Sequence, residues 1–165
     1  STELIVGGIH PERWQSVKIG SVRLHERFLH SDPPTEAEIA ALTAAIDAGL
    51  DGLPQPEGEL VALAGTATTV AALYLQLAEY DGRRVDGLRV PTARMREIIG
   101  SLGRLRVAER QQLAGLDPRR ADVIFAGAMI LLRTAERAGL TDVVISDRGV
   151  RWGVLEELAD SLTDE

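Results

Sequence analysis

Gly65-Thr66-Ala67-Thr68-Thr69 follows directly on the apolar run Leu60-Val61-Ala62-Leu63-Ala64, and a helix-like apolar pattern comes after it. A strand ending at Gly65 and a helix starting near Thr66 would leave the first helical N–H groups unpaired. The helix dipole places partial positive charge at that end. Glycine lets a ligand approach the backbone, and the hydroxyls of Thr66, Thr68 and Thr69 are further donors. Together they could cradle a phosphate oxygen or a nucleotide-like group. The same residues suit a plain helix start, with Thr66 as N-cap and Thr68 and Thr69 bonding back into the helix. On local chemistry the two readings stand level.

A second junction repeats the logic. Val143-Val144-Ile145-Ser146 reads as a buried strand, and a helix is expected from near Gly149. Arg148 and Arg151 could meet an anion there, or be solvated arginines at a helix start. Arg104, Arg106, Arg110, Arg119 and Arg120 cluster in the preceding segment. Arginine forks match phosphate geometry. Arg120 is followed by Ala121-Asp122: an Asp at a helix start is usually a dipole partner, and an Arg-Asp pair at a mouth can also orient ligand-binding groups. Arg104 and Arg106 read as a basic helix face. Glu3 lies inside a strand-like run, where a carboxylate asks for a reason, and an outward-facing position on a half-exposed strand is the favoured one. His10, His25 and His30 lack ligand spacing and read as surface or satisfied residues. Gly127, within Phe125-Ala126-Gly127-Ala128, reads as a close helix contact.

These groups need a scaffold. Thr2–Gly8 and 13–20 read as strands of a hairpin across Ile9-His10-Pro11-Glu12. Residues 21–29 switch to helical spacing, with Ser21 as N-cap. Thr35 should cap a helix over 36–50, with Glu36 and Glu38 in its first turn. A loop is expected over 51–59, a strand buried on both faces over 60–65, and a helix over 66–80. Residues 81–87 read as a charged connection. Helices fill 91–115, and one long helix is expected over 117–139, with Pro118 in its first turn and Gly139 at its end. A strand over 142–146 and a final helix close the chain. The expected architecture is α/β: one mixed sheet holding 2–7, 14–19, 60–64 and 142–146, flanked by helices, with a helical insertion before the last strand.

Composition sets outer bounds. The 165 residues suffice for one domain or two small lobes. Apolar residues make up 45% and aromatics 4%, so the core must be aliphatic. A net charge of −7 argues against an electrostatic nucleic-acid surface. With no cysteine, disulfides and thiolate metal sites are excluded, which fits a reducing cytoplasm. No apolar run approaches the roughly 18 residues needed to span a bilayer. The chain opens at Ser1 already in strand-like residues, which suggests a piece of a longer protein.

Five stretches in series resemble the exopolyphosphatase and guanosine-pentaphosphate phosphohydrolase (Ppx/GppA) family. They are STELIVG, KIGSVRLHERFL, ALAGTATTVAAL, DPRRADVIFAGAMILL and VISDRGVRWGVL. The resemblance implies an actin-like fold of two ribonuclease-H-like lobes, of which residues 1–165 would be the second, C-terminal one. The first lobe, with its own phosphate loop and the glutamate regarded as the base, would be absent. Ser1 and Thr2 would be the surviving edge of a second phosphate loop. Glu3 would position magnesium or water. Gly65, Thr66, Thr68, Thr69, Arg120 and Arg148 would face the phosphate cleft. The implied activity is Mg2+-dependent hydrolysis of terminal phosphoanhydrides in polyphosphate or guanosine pentaphosphate, and the lobe alone would be inactive. Other implied partners are guanosine tetraphosphate, the missing lobe and a second copy in a homodimer. Two other readings stay open: a non-catalytic relative that senses a phosphorylated nucleotide, and a sugar-kinase-like lobe.

Overall fold

The computed structural model describes residues 1–8, 10–53 and 58–163. Ile9 of the expected hairpin link and residues 54–57 of the expected loop lie outside the described residues. The chain folds as α/β, with a mixed sheet flanked by helices and a largely helical segment before the last strand.

The strands are β1 (Thr2–Gly7), β2 (Pro11–Val17), β3 (Val61–Leu63), β4 (Leu88–Pro91) and β5 (Asp142–Ser146). β1 and β2 pair antiparallel, with Glu3 opposite Ser16. They form a two-stranded sheet of their own, so the single sheet expected from the sequence is in fact two. β2 is exposed from Pro11 to Ser16, while β1 alternates and packs Leu4 on the core.

The second sheet has the order β3-β5-β4, with β3 parallel and β4 antiparallel to β5. β5 is central, and its Val143 and Ile145 are fully buried. β3 is hydrogen-bonded on one side only. Val61 and Leu63 are each about half exposed, so the expected burial on both faces does not hold. β4 has no counterpart among the expected strands: no element is expected over 88–90, and a helical stretch is expected from Pro91. Its four residues include an arginine and a proline, too short a run for alternation to declare itself.

Eight α-helices are described: α1 (Ser21–Phe28), α2 (Glu36–Leu50), α3 (Gly65–Tyr74), α4 (Gly82–Val85), α5 (Thr92–Arg104), α6 (Val107–Arg110), α7 (Ile124–Arg137) and α8 (Val150–Thr163). α7 is the hub. Residues 124 to 130 of it are buried without a break, and it packs against α1, α2, α3 and α5. α2 contributes Leu42, Ile46 and Leu50 at four-residue spacing, each 1% exposed or less. Its start is the expected capping box: Thr35 accepts from the Glu38 N–H, and the Glu38 carboxylate accepts from the Thr35 N–H.

The long helix expected over 117–139 is broken. Pro118–Arg120 form a 3-10 turn capped by Asp117, and α7 begins only at Ile124. The carbonyl of Ala121 accepts from the side chain of Arg110, a partner local sequence does not reveal. Gly139 follows the α7 C-cap at φ 67°, its N–H on the Glu136 carbonyl, as expected of a helix-ending glycine. Among the described residues, no helix is long and apolar enough to cross a membrane.

Candidate functional site

The turn between β3 and α3 begins one residue earlier than the sequence suggests. Ala64 is the N-cap, and Gly65 is already the first helical residue. Ala64 sits at φ 73°, ψ −179°, a region that residues with a Cβ rarely enter. Such a conformation costs on the order of 1–3 kcal/mol, and persists where the surroundings demand it. The Ala64 side chain has no polar group to cap the helix, so the first N–H groups of α3 have no side-chain partner there.

What fills the space above Gly65 is the guanidinium of Arg120. A Cβ on Gly65 would fall inside that group, overlapping its Nη1 and Cζ. The glycine is thus required by an arginine 55 positions away, and only indirectly by any ligand. Arg120 is the last residue of the 3-10 turn. Its neighbour Arg119 is paired to Asp117 at 2.8 Å, whereas Arg120 has no ion-pair partner among the described residues. A cation at a helix N-terminus is electrostatically unfavourable. A guanidinium and the positive end of a helix held together form a place that an anion would stabilise.

A second helix start joins the first. α1 is preceded by Gly20, which gives no side-chain cap, and Ser21 is its first residue. Gly127 of α7 makes the junction. A Cβ there would lie 2.7 Å from Thr66 Oγ1 and 3.2 Å from Ser21 Cβ, so the starts of α3 and α1 close on each other over that glycine. Ser1 also reaches this point: a Cβ on Gly20 would lie 2.6 Å from the Ser1 nitrogen. Thr2 Oγ1 donates to the Ile19 carbonyl at 2.8 Å, fixing β1 to the approach of α1. Ser1, Thr2, Gly20, Ser21, Gly65, Thr66 and Arg120 therefore form a connected set.

Other expected residues are engaged differently. Thr69 is buried, and its hydroxyl donates to the Gly65 carbonyl at 2.7 Å. Thr68 Oγ1 lies 3.4 Å from the carbonyls of Ala64 and Gly65. Both hydroxyls bond back into their own helix. Glu3 accepts from Ser16 Oγ at 3.1 Å on the exposed hairpin. The Ser1 side chain first, and Ser16 second, hold its carboxyl below the usual range, so it is an ionised acceptor at neutral pH. Arg148 is occupied: its Nε meets Asp86 at 3.2 Å, and its guanidinium lies 5.8 Å over the Trp152 ring. Arg104 donates to Ser101, as suits a helix face. His25 departs from its reading as a surface or satisfied residue, because its Nδ1 is buried and has no hydrogen-bond partner among the described residues.

Several residues that shape this region carried no sequence signal. Asp86 accepts from Ser146 Oγ, the Asp147 N–H and Arg148, and so ties the end of β5 to the loop before β4. Those three donors, the Asp147 N–H foremost, hold its carboxyl below the ordinary value. Tyr80 donates to Asp147, and partial burial together with that carboxylate pushes its hydroxyl up to about 12. Asp86 and Tyr80 lay in or beside a stretch read only as a charged connection.

Among the described residues, no group of three or more His, Cys, Asp or Glu side chains could hold a metal ion by itself. Magnesium often binds through one or two carboxylates plus substrate phosphates and water. Glu3, exposed, ionised and two residues from Ser1, suits that lesser role.

The model of the Ppx/GppA phosphatase family matches residues 1–162. Exopolyphosphatase 2 of Mycobacterium tuberculosis is 36% identical over 96% of this chain and 53% of its own length. A bifunctional 3-dehydroquinate synthase/phosphatase of Fusobacterium nucleatum is 27% identical over 95% of this chain and 24% of its own. The crystal structure of the Aquifex aeolicus Ppx/GppA family member superposes with a TM-score of 0.91 at 32% identity, over 99% of this chain and 53% of that one. The chain spans about half the length of the exopolyphosphatases it matches. Its fold is the actin-like one of those structures.

Proposed function

We propose that this chain, which belongs to the Ppx/GppA phosphatase family, is the second, C-terminal lobe of a phosphoanhydride hydrolase. The reaction is attack of water on a terminal phosphorus of inorganic polyphosphate or guanosine pentaphosphate. The anhydride P–O bond breaks, orthophosphate leaves with the water oxygen, and the shortened phosphate chain departs. One observation carries this reading: the guanidinium of Arg120, without an ion-pair partner among the described residues, is seated on Gly65 at the start of α3.

Phosphoryl transfer depends on charge neutralisation and placement of the reacting groups. Arg120 supplies a fork for two phosphoryl oxygens. The first N–H groups of α3 and α1 supply neutral donors to others. Ser1 and Thr2 border the same place. Glu3 orients water or holds magnesium, which when bound neutralises charge on the phosphoryl oxygens. The base that takes the proton from water is assigned to the other half of a two-lobed protein.

The test is phosphate release by the full-length protein from tripolyphosphate and from guanosine pentaphosphate, with magnesium present. Arg120→Ala should lower kcat/KM by about a hundredfold, the scale of removing one preorganised donor. Wild-type turnover by that variant would remove the reading. Tight binding of guanosine tetraphosphate with no phosphate release from either substrate would replace hydrolysis by sensing.

A further inference from the structure

Arg110 ends the short helix α6 and is only 2% exposed. A buried guanidinium normally faces a carboxylate, because an uncompensated charge in the core is costly. Here no carboxylate lies within ion-pair distance among the described residues. Arg110 Nε donates instead to the Leu102 carbonyl at 2.8 Å, and Nη1 to the Ala121 carbonyl at 3.3 Å. Nη2 has no partner. The guanidinium lies 5.5 Å over the Phe125 ring. One contact is thus to the last turn of α5, where a cation suits the helix dipole. The other is to the residue that leaves the 3-10 turn.

That second contact matters because of what Ala121 follows. Ala121 is the C-cap of the turn Pro118–Arg120 and is itself buried. Its carbonyl is held from the core side by Arg110. The residue before it sends its side chain out onto Gly65. At the far end of the turn, Asp117 caps the Arg119 N–H at 3.0 Å. The turn is therefore pinned at both ends, and Arg120 hangs from the end that Arg110 holds. A Leu or Met could fill this volume without burying a charge. The charged residue is explained if its donors, and not its bulk, are what the position needs.

We infer that Arg110 is a positioning residue, which fixes the Ala121 carbonyl and thereby holds the Arg120 guanidinium over Gly65. The inference rests on the reading of Gly65 and Arg120 as an anion site. It adds that the site is set from beneath by a second arginine that touches no ligand.

The test is a double-mutant cycle on the full-length protein, with tripolyphosphate as the probe and calorimetry as the readout. Arg110→Met keeps most of the bulk and removes the donors. It should weaken tripolyphosphate binding about tenfold, the worth of one charge-assisted hydrogen bond. In an Arg120→Ala background the same substitution should change affinity by less than about twofold, because its effect passes through Arg120. Arg110→Lys, which keeps a charge and can reach one carbonyl, should recover part of the loss and remains informative if the methionine variant folds poorly. Equal losses in both backgrounds would make Arg110 a general structural residue and overturn the inference. So would unchanged affinity in a variant that melts lower. Wild-type protein that fails to bind tripolyphosphate would instead remove the anion site itself. The positioning role is then decided by NMR of the Arg120 Nε–H and the Gly65 amide. Shifts of both in Arg110→Lys uphold it, and their absence sinks it.

Discussion

At the scale of single residues, the site turns on a glycine and an arginine far apart in sequence. Local chemistry left Gly65-Thr66-Ala67-Thr68-Thr69 equally readable as a phosphate cradle or a helix cap. The structure divides the five. Gly65 is needed because Arg120 occupies the space where a side chain would be. Thr68 and Thr69 direct their hydroxyls to helix carbonyls. A contrast between two substitutions follows. Gly65→Ala should displace Arg120 and cut kcat/KM of the full-length enzyme by about the factor that Arg120→Ala does, a hundredfold. Thr69→Ala should instead leave kcat/KM within about twofold and lower stability by about 0.5–1.5 kcal/mol, the net worth of one hydrogen bond. Steady-state kinetics and denaturant melts on both variants check this. If Thr69→Ala loses activity at full stability while Gly65→Ala does not, the assignments are reversed and the Arg120 placement is irrelevant to turnover.

At the scale of elements, the helix signals were legible and the tertiary ones were not. Thr35 and Glu38 announced α2 because a capping box is a local device, complete within four residues. The hairpin β1-β2 was legible from alternation. β4 was not, and neither was the break before α7, where the Arg110 side chain reaches the Ala121 carbonyl from another helix. The seating of Arg120 on Gly65 is likewise a contact between segments that no spacing rule connects. The Glu38 cap also carries a pH signature. Its carboxylate accepts from the N–H groups of Thr35, His30 and Ser31, Thr35 being the largest influence, and these hold its pKa down to about 2. A carboxyl depressed in the folded state stabilises above its unfolded value, near 4.3, and loses that contribution as pH falls through the folded value. Glu38→Gln should therefore melt below wild type at pH 7. The gap should narrow from about pH 4 downward and close near pH 2. Thermal melts of both proteins across that range decide it, and a gap independent of pH would mean that the carboxylate charge contributes nothing.

At the scale of the whole molecule, an acidic chain presents a small cationic spot. The net charge is −7, yet two helix starts meet over Gly127 and the Arg120 guanidinium sits on Gly65 beside them. Attraction of the proposed polyanionic substrate is then local, since the global field repels it. The spot supplies donors and charge, but chemistry at phosphorus also needs a group to take a proton from water. Glu3, the carboxylate two residues from Ser1, is exposed and held ionised by serine hydroxyls, which lowers its basicity. A good general base has a pKa close to the working pH, and Glu3 is displaced the other way. The chain of residues 1–165, purified alone with magnesium, is thus expected to release no phosphate from tripolyphosphate above a blank. A longer protein in which the proposed other lobe supplies the base is expected to turn over. A malachite-green time course on both, with the Arg120→Ala variant of the chain as a control for contaminating phosphatases, makes the comparison. Turnover by the chain alone that vanishes in Arg120→Ala would show a base within these residues, and the division of labour between two lobes would have to be abandoned.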